Sequence, residues 1–214
     1  MDIRRIRNIY CVGRNYGQHA AELGNSVPEE PMIFLKPTHA AIVMDGTAVE
    51  LPGDRGALHY EAELVLHIGR DYIPGHTVDE LVDAVSLGID FTLRDVQNVI
   101  KSKGYPWLPA KGFLRSAVIT PAFAFPGAQA VSTTPFSLRR NGQQVQRGDA
   151  SQMIFPLQTL VDYIAAHYGL GAGDLIYTGT PAGVAAVMHD DRFELLWDDQ
   201  VVGAFTAKLG AAGS

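Results

Sequence analysis

The sequence predicts an α+β fold built on a mixed or antiparallel sheet. Short apolar runs bounded by Gly and Pro outnumber helical stretches. The helical stretches come at irregular intervals, not after every strand as βαβ winding requires. The pair Asn141-Gly142, between two strand-like runs, is a strong hairpin signal.

Each element follows from its residues, in order. "IRNIYCVG" reads as a first strand. "NYGQHAAELG" reads as a short, weakly apolar helix stopped by Gly24. "EEPMIFLKP" is a strand between prolines, and "LHYEAELVLHIG" a single long strand. "TVDELVDAVS" opens with a Thr77–Glu80 capping box and predicts a helix. "SLGIDFTLRD" is a buried strand. "DVQNVIKSKG" is a helix with Val96, Val99 and Ile100 on one face and Gly104 past its end. "YPWLPAKGF" is a Pro-interrupted loop, and "FSLRRNGQQVQRG" the hairpin. "FPLQTLVDYIAAHYG" is the clearest helix, with Leu157, Leu160, Val161 and Ile164 on one face. "DLIYTGTPAGV" is a strand running into a turn, and "RFELLWDDQVVGAFTAKL" a closing pair of strands around Asp198-Asp199.

The chain of 214 residues, 47% hydrophobic, suffices for one large domain with a real core, and no linker divides it. Lys plus Arg number 17 and Asp plus Glu 23, for a net charge of −6. No basic block stands out, which argues against a nucleic-acid partner. An anionic substrate would need local help from Arg, Lys or a metal. Cys11 is the only cysteine, so it can form no internal disulfide and no cysteine zinc cluster. The basic N-terminus has no apolar core of a leader. No run approaches the ~20 apolar residues of a membrane span. The expectation is a soluble, cytoplasmic protein.

Three acids stand out. In a strand, Glu61 and Glu63 point the same way, and like charges that close repel. Asp90 lies inside "SLGIDFTL", the kind of run that is buried, where a lone carboxylate is costly unless paired or metal-bound. Two arrangements satisfy this pattern. In one, Asp90 pairs with an Arg or Lys while Glu61 and Glu63 face solvent. In the other, all three converge on one cation, and carboxylates without cysteine suit Mg²⁺, Mn²⁺ or Ca²⁺ rather than zinc.

Other candidates have equally plain alternatives. His19 and Glu22, at i and i+3, can touch on a helix, as a general base or as a surface pair. Lys111 is either functional or a solvated loop lysine. "TGTP", Thr178 to Pro181, offers hydroxyls and N–H groups for a carboxylate, or is a plain turn.

Together these stretches resemble the fumarylacetoacetate hydrolase family. The carriers are "CVGRNYGQHAAELG", "PMIFLKP", "LHYEAEL", "GIDFTLRDVQ", "WLPAKGF", "NGQQVQRGDASQMIF" and "GDLIYTGTPAGV", in order, over almost the whole chain. The likeness is to the short single-domain branch that includes acylpyruvate hydrolases. It implies one catalytic domain over 1–214, a mixed β-sandwich roll and a homodimer. It implies one Mg²⁺ or Mn²⁺ per chain on Glu61, Glu63 and Asp90. It implies a catalytic His19–Glu22 dyad on a segment that closes over ligand, a catalytic Lys111, and substrate contacts from Arg14, Gln97 and Thr180. Two departures stand out. Where relatives often read "GVGP", this chain reads "GVAAV", Gly183 to Val187, and Tyr60 replaces a frequent His in "HYE". The first bears on substrate choice, and the second is expected to leave the metal alone.

The implied reaction is C–C hydrolysis of an acylpyruvate such as fumarylpyruvate or acetylpyruvate, releasing pyruvate. Glu22 would orient His19, His19 would activate water, and the metal with Lys111 would stabilise the pyruvate enolate. Three carboxylates against a divalent ion leave −1, so Lys111 and Arg14 would be needed for an anionic substrate. The alternatives that reach related enolates are oxaloacetate decarboxylation, oxaloacetate enol/keto tautomerisation and isomerisation of a 2-hydroxy-diene-dioate. Outside enzymes stands a catalytically silent metal-binding ligand sensor, which loss of the dyad or a ligand would mark, and none is lost.

Overall fold

The computed structural model describes residues 3–17 and 28–210. Strand accounts for 40% and helix for 23%, and the sheets are mixed, so the α+β class holds. The central sheet runs in the order β2 (Met32–Lys36), β1 (Ile9–Gly13), β13 (Leu175–Tyr177), β6 (Ala62–Ile68), β7 (Val82–Asp90), β9 (Ala117–Ile119), β3 (Ala41–Val43), with β10 (Phe123–Ala124) also on β7. Within it β1·β13 and β3·β9 are parallel and the other pairs antiparallel. A second sheet runs β12 (Gln143–Gly148), β11 (Phe136–Arg140), β15 (Arg192–Trp197), β16 (Gln200–Gly210), β4 (Ala48–Pro52). A small third sheet joins β14 (Ala185–Ala186), β5 (Leu58–Tyr60) and β8 (Thr92–Leu93).

Alternation along β6 and β7 decides where the core and the site lie. Leu64, Leu66, Leu87 and Ile89 enter the main core, with Phe136, Leu138, Phe193 and Phe205 of the second sheet. Burying each such side chain contributes about 1.5–3 kcal/mol. The helix Leu157–Tyr168 (α5) adds Leu157, Leu160, Val161 and Ile164 to that core, on the face its sequence predicts. The opposite face of β6 carries Glu63, Val65 and His67. There Val65 joins a smaller cluster with Ile9, Cys11, Ile119 and Tyr177. Among the described residues no helix is long and apolar enough to cross a membrane.

Three local expectations are corrected. The helix over "TVDELVDAVS" is a single turn, Val78–Leu81 (α1), with the expected Thr77–Glu80 capping box. From Val82 the chain is strand, because Val85, Leu87 and Ile89 alternate into the core while pairing with β6 overrides helix propensity. The long strand 58–69 breaks at Glu61, where the chain leaves the small sheet and enters the central one. The 105–113 loop contains a short helix, Leu108–Lys111 (α3). The helix expected over 15–24 falls mostly on residues 18–24, which lie outside the described part; just before them Tyr16 bridges Met153 and Gly17 is helical.

Candidate active site

The acids meet because two antiparallel strands change sheets at one level. Asp90 ends β7, Glu61 precedes β6, and the Asp90 amide donates to the Glu61 carbonyl at 2.8 Å. Glu63 faces Gly88 across the ladder. Gly88 is required there, since a Cβ would stand 2.6 Å from Tyr177 Cε1. The three side chains each offer a carboxylate oxygen within 4.8 Å of the others, and all three are buried. The arrangement with solvent-facing Glu61 and Glu63 is therefore excluded.

Two cations are buried with them, and a third is half-buried beside them. Lys111 Nζ donates to Glu61 Oε2 and Asp90 Oδ2, both at 2.7 Å. Lys36 Nζ lies 2.7 Å from Asp90 Oδ1. That contact is an ion pair without hydrogen-bond geometry, for among the described residues Asp90 Oδ1 has no hydrogen-bond partner. The Lys36 ammonium donates instead to the carbonyls of Phe91 and Lys111. Arg94, at the start of the helix Arg94–Ser102 (α2), donates to Glu61 Oε1 and Gln97 Oε1, both at 2.6 Å.

Burial alone pulls the Lys111 ammonium toward neutrality, but the Asp90 and Glu61 carboxylates outweigh it and hold its pKa raised. Glu63 is different. It accepts from the Gly179 amide at 2.8 Å, and among the described residues no Lys or Arg pairs with it. Burial, then Asp90 and Glu61, push its carboxyl well above the usual range.

The TGTP turn clamps this corner. Thr178 Oγ1 donates to Leu64 O at 2.9 Å and Thr180 Oγ1 to Ala62 O at 2.8 Å. Its Gly179 N–H does hold a carboxylate, but that of Glu63. Gln146 braces the other side, accepting from the Ala62 amide and donating to Thr180 Oγ1, each at 2.9 Å. In the "GVAAV" departure, Ala185 and Ala186 form β14 and pair with Tyr60 and His59. Tyr60 packs on Phe193, ring centroids 5.3 Å apart, in the core.

Seven of the nine candidate residues line one cleft or its floor: Glu61, Glu63, Asp90, Lys111, Arg14, Gln97 and Thr180. Arg14 sits in the left-handed region at φ 57°, an uncommon and costly conformation for a side chain. The Thr180 hydroxyl is already committed to the protein. Phe34 and Trp107, centroids 5.6 Å apart, give the cleft its apolar wall. His19 and Glu22 lie outside the described residues, as does most of the segment expected to close. Sequence reasoning missed Lys36, Arg94, Gln146 and Lys101. Lys36 and Arg94 had the signal that exposed Asp90, a charge within or beside an apolar strand. Gln146 carried none.

The donor set fits a divalent ion. Hard oxygen ligands converge, and one of them, Glu63, is a buried acid with no counter-cation among the described residues, which is costly unless the group keeps its proton or meets a metal. A metal there would displace that proton.

The family model for the fumarylacetoacetate (FAA) hydrolase C-terminal domain matches residues 8–212. The chain belongs to the fumarylacetoacetate hydrolase family. Among its relatives is the mitochondrial oxaloacetate tautomerase of Rattus norvegicus, 39% identical over 194 residues, 88% of this chain and 86% of that protein. The mitochondrial oxaloacetate decarboxylase of Dictyostelium discoideum is 37% identical over 186 residues, 85% and 84% of the two chains. A similar solved structure is the fumarylpyruvate hydrolase of Pseudomonas aeruginosa in complex with Mn²⁺ and pyruvate. Its TM-score is 0.88 at 34% identity, over 96% of this chain and 91% of that one. The family frame thus spans relatives named for three reactions on keto acids, and the choice among them rests on the site.

Proposed function

We propose that this chain is a Mg²⁺- or Mn²⁺-dependent tautomerase that interconverts the enol and keto forms of oxaloacetate. The observation that carries the reading is charge. With all three acids ionised, as holding a metal requires, Glu61, Glu63 and Asp90 sum to −3, and Lys36, Lys111 and Arg94 to +3. Before any metal the cluster is neutral, where three carboxylates alone would leave −3. A divalent ion makes it +2, which matches a dianionic keto acid better than a monoanion such as acetylpyruvate. Two relatives named for oxaloacetate chemistry support the same substrate class.

Glu61, Glu63 and Asp90 would hold the ion, which when bound supplies Lewis-acid polarisation of the 2-keto acid. In the keto-to-enol direction a proton leaves C3, the electron pair forms the C2–C3 double bond, and charge falls on the 2-keto oxygen before that oxygen is protonated. Lys111, kept an ammonium by Glu61 and Asp90, stabilises the developing negative charge. Arg94 holds Glu61 and Gln97 in place. The family likeness implies His19, set by Glu22, as the proton carrier.

A second reading is hydrolysis of fumarylpyruvate, also a dianion, which the similarity to the Pseudomonas aeruginosa hydrolase favours. The test follows enol absorbance of oxaloacetate and pyruvate release from oxaloacetate and fumarylpyruvate, with Mg²⁺ and with chelator. We expect metal-dependent loss of the enol, slowed at least ~10²-fold in His19→Ala. Enol decay at the solvent rate, alongside rapid pyruvate release from fumarylpyruvate, would put hydrolysis first.

A further inference from the structure

The cleft has an acidic floor and a basic rim. In its floor three cations gather around Glu61 and Asp90. The rim differs. Arg14 and Lys101 both line the cleft, and among the described residues neither has an ion pair or a side-chain hydrogen bond. Lys101 stands in the last turn of α2, on the same helical face as Arg94 and Gln97, which are seven and four positions before it. That spacing explains why a lysine near the C-terminus of α2 reaches the same cleft as an arginine at its start.

We infer that Lys101, with Arg14, is the specificity-determining pair for the distal carboxylate of a dicarboxylic 2-keto acid. This inference rests on the substrate reading above and deepens it. The floor can take the 2-keto-carboxylate end, where the acids and their cations converge. A second carboxylate two carbons farther along needs a cation away from that floor. Arg14 spends a left-handed backbone conformation, φ 57°, at the cleft wall. Lys101 is exposed, as a residue that meets ligand from the solvent side must be. Burial and the guanidinium groups of Arg14 and Arg94 lower its pKa, the effect expected of cations gathered without an acid between them. An anionic end group relieves that repulsion and gains charge-assisted hydrogen bonds. A methyl in its place gains neither, so the pair would distinguish oxaloacetate from pyruvate, which differ by that one carboxylate.

The experiment uses Lys101→Gln and Lys101→Arg in the full chain loaded with Mn²⁺. Binding of malate and of lactate, unreactive and differing by the same carboxylate, is measured by calorimetry, beside KM and kcat for oxaloacetate. In Lys101→Gln malate affinity should fall about tenfold while lactate affinity stays within twofold. The loss in kcat/KM for oxaloacetate should fall mainly on KM, and Lys101→Arg should restore most of it. Malate affinity within twofold of the parent overturns the inference, as does an equal fall for malate and lactate, which would mean general attraction only. If the parent binds malate over lactate through Lys101 yet leaves oxaloacetate unchanged, the tautomerase reading fails and the carboxylate subsite stands.

Discussion

Glu63 and His67 share one face of β6, four residues apart, and both are buried, at 2% and 9% exposure. The sheet gives them opposite surroundings. At the Glu63 end three acids and three cations crowd together, and charge is kept inside the protein. At the His67 end the ring bonds Ser86 Oγ at 2.8 Å, and burial lowers its pKa from 6.5 to about 4, so it is neutral. Buried charge is therefore supported only where counter-charges converge from β2, α2 and α3, on Glu61 and Asp90, while burial pushes Glu63, like His67, toward its neutral form in the metal-free protein. A structural polar residue settles by giving up its charge, while a site that must bind ions retains charge at a cost in stability.

The sharpest way to break the contrast is to remove Asp90, the acid shared by Lys36 and Lys111. Asp90→Ala should weaken Mn²⁺ binding by at least ~10²-fold in calorimetry. It should also cost the metal-free protein about 3 kcal/mol in denaturant unfolding, because two buried ammonium groups lose a partner. Mn²⁺ affinity within tenfold of the parent would remove Asp90 from the ligand set.

At the neutral end the effect is on pH dependence. As pH falls below 6.5, the unfolded chain protonates His67 while the folded chain does not until about 4. Its contribution is thus full above pH 6.5 and lost as pH falls toward 4, a span worth about 3 kcal/mol. Glu63, with its raised pKa, has the opposite sign and contributes most at low pH in the metal-free protein. The difference in stability between parent and His67→Gln should therefore slope across pH 4 to 6.5 and be level outside that window, read from urea midpoints. A variant whose stability runs parallel to the parent across that window would show that His67 is charged in the folded state.

What the sequence made legible follows the same division. The helix α5 was readable because its four core residues repeat at helical spacing. Asp90 was readable because a charge in an apolar strand must be explained. The Thr77–Glu80 capping box was readable, yet the helix behind it was not, since residues from Val82 onward are held as strand by pairing partners far away in sequence. Glu61 was readable as an acid but not as a corner. That corner exists because β5 and β8 leave the central sheet together, a fact of pairing. The charge state was misjudged for the same reason. Lys36 and Arg94 offset the acids only once β2 and α2 are brought beside them, so counting the acids with a divalent ion along the chain produced −1 where the folded cluster with that ion sums to +2.

The last prediction concerns the residue between the two ends. Tyr177 lies over Gly88, which separates Ser86, the partner of His67, from Asp90. It is fully buried, and among the described residues its hydroxyl has no hydrogen-bond partner. Burial raises its pKa well above the usual phenol range, followed by Cys11, Asp90 and Glu63, so the hydroxyl stays protonated. A buried, unbonded hydroxyl costs desolvation without return. Tyr177→Phe keeps the ring that Gly88 accommodates and removes that cost. The variant should be unchanged or more stable by up to ~1 kcal/mol, with Mn²⁺ affinity within twofold of the parent. A loss above ~1 kcal/mol would assign the hydroxyl to the charged end, as a donor the acids depend on. Loss of Mn²⁺ affinity at constant stability would make Tyr177 a positioning residue for the acids. Unchanged values for both would leave Tyr177 a packing residue and place the boundary between the charged and neutral ends at Gly88.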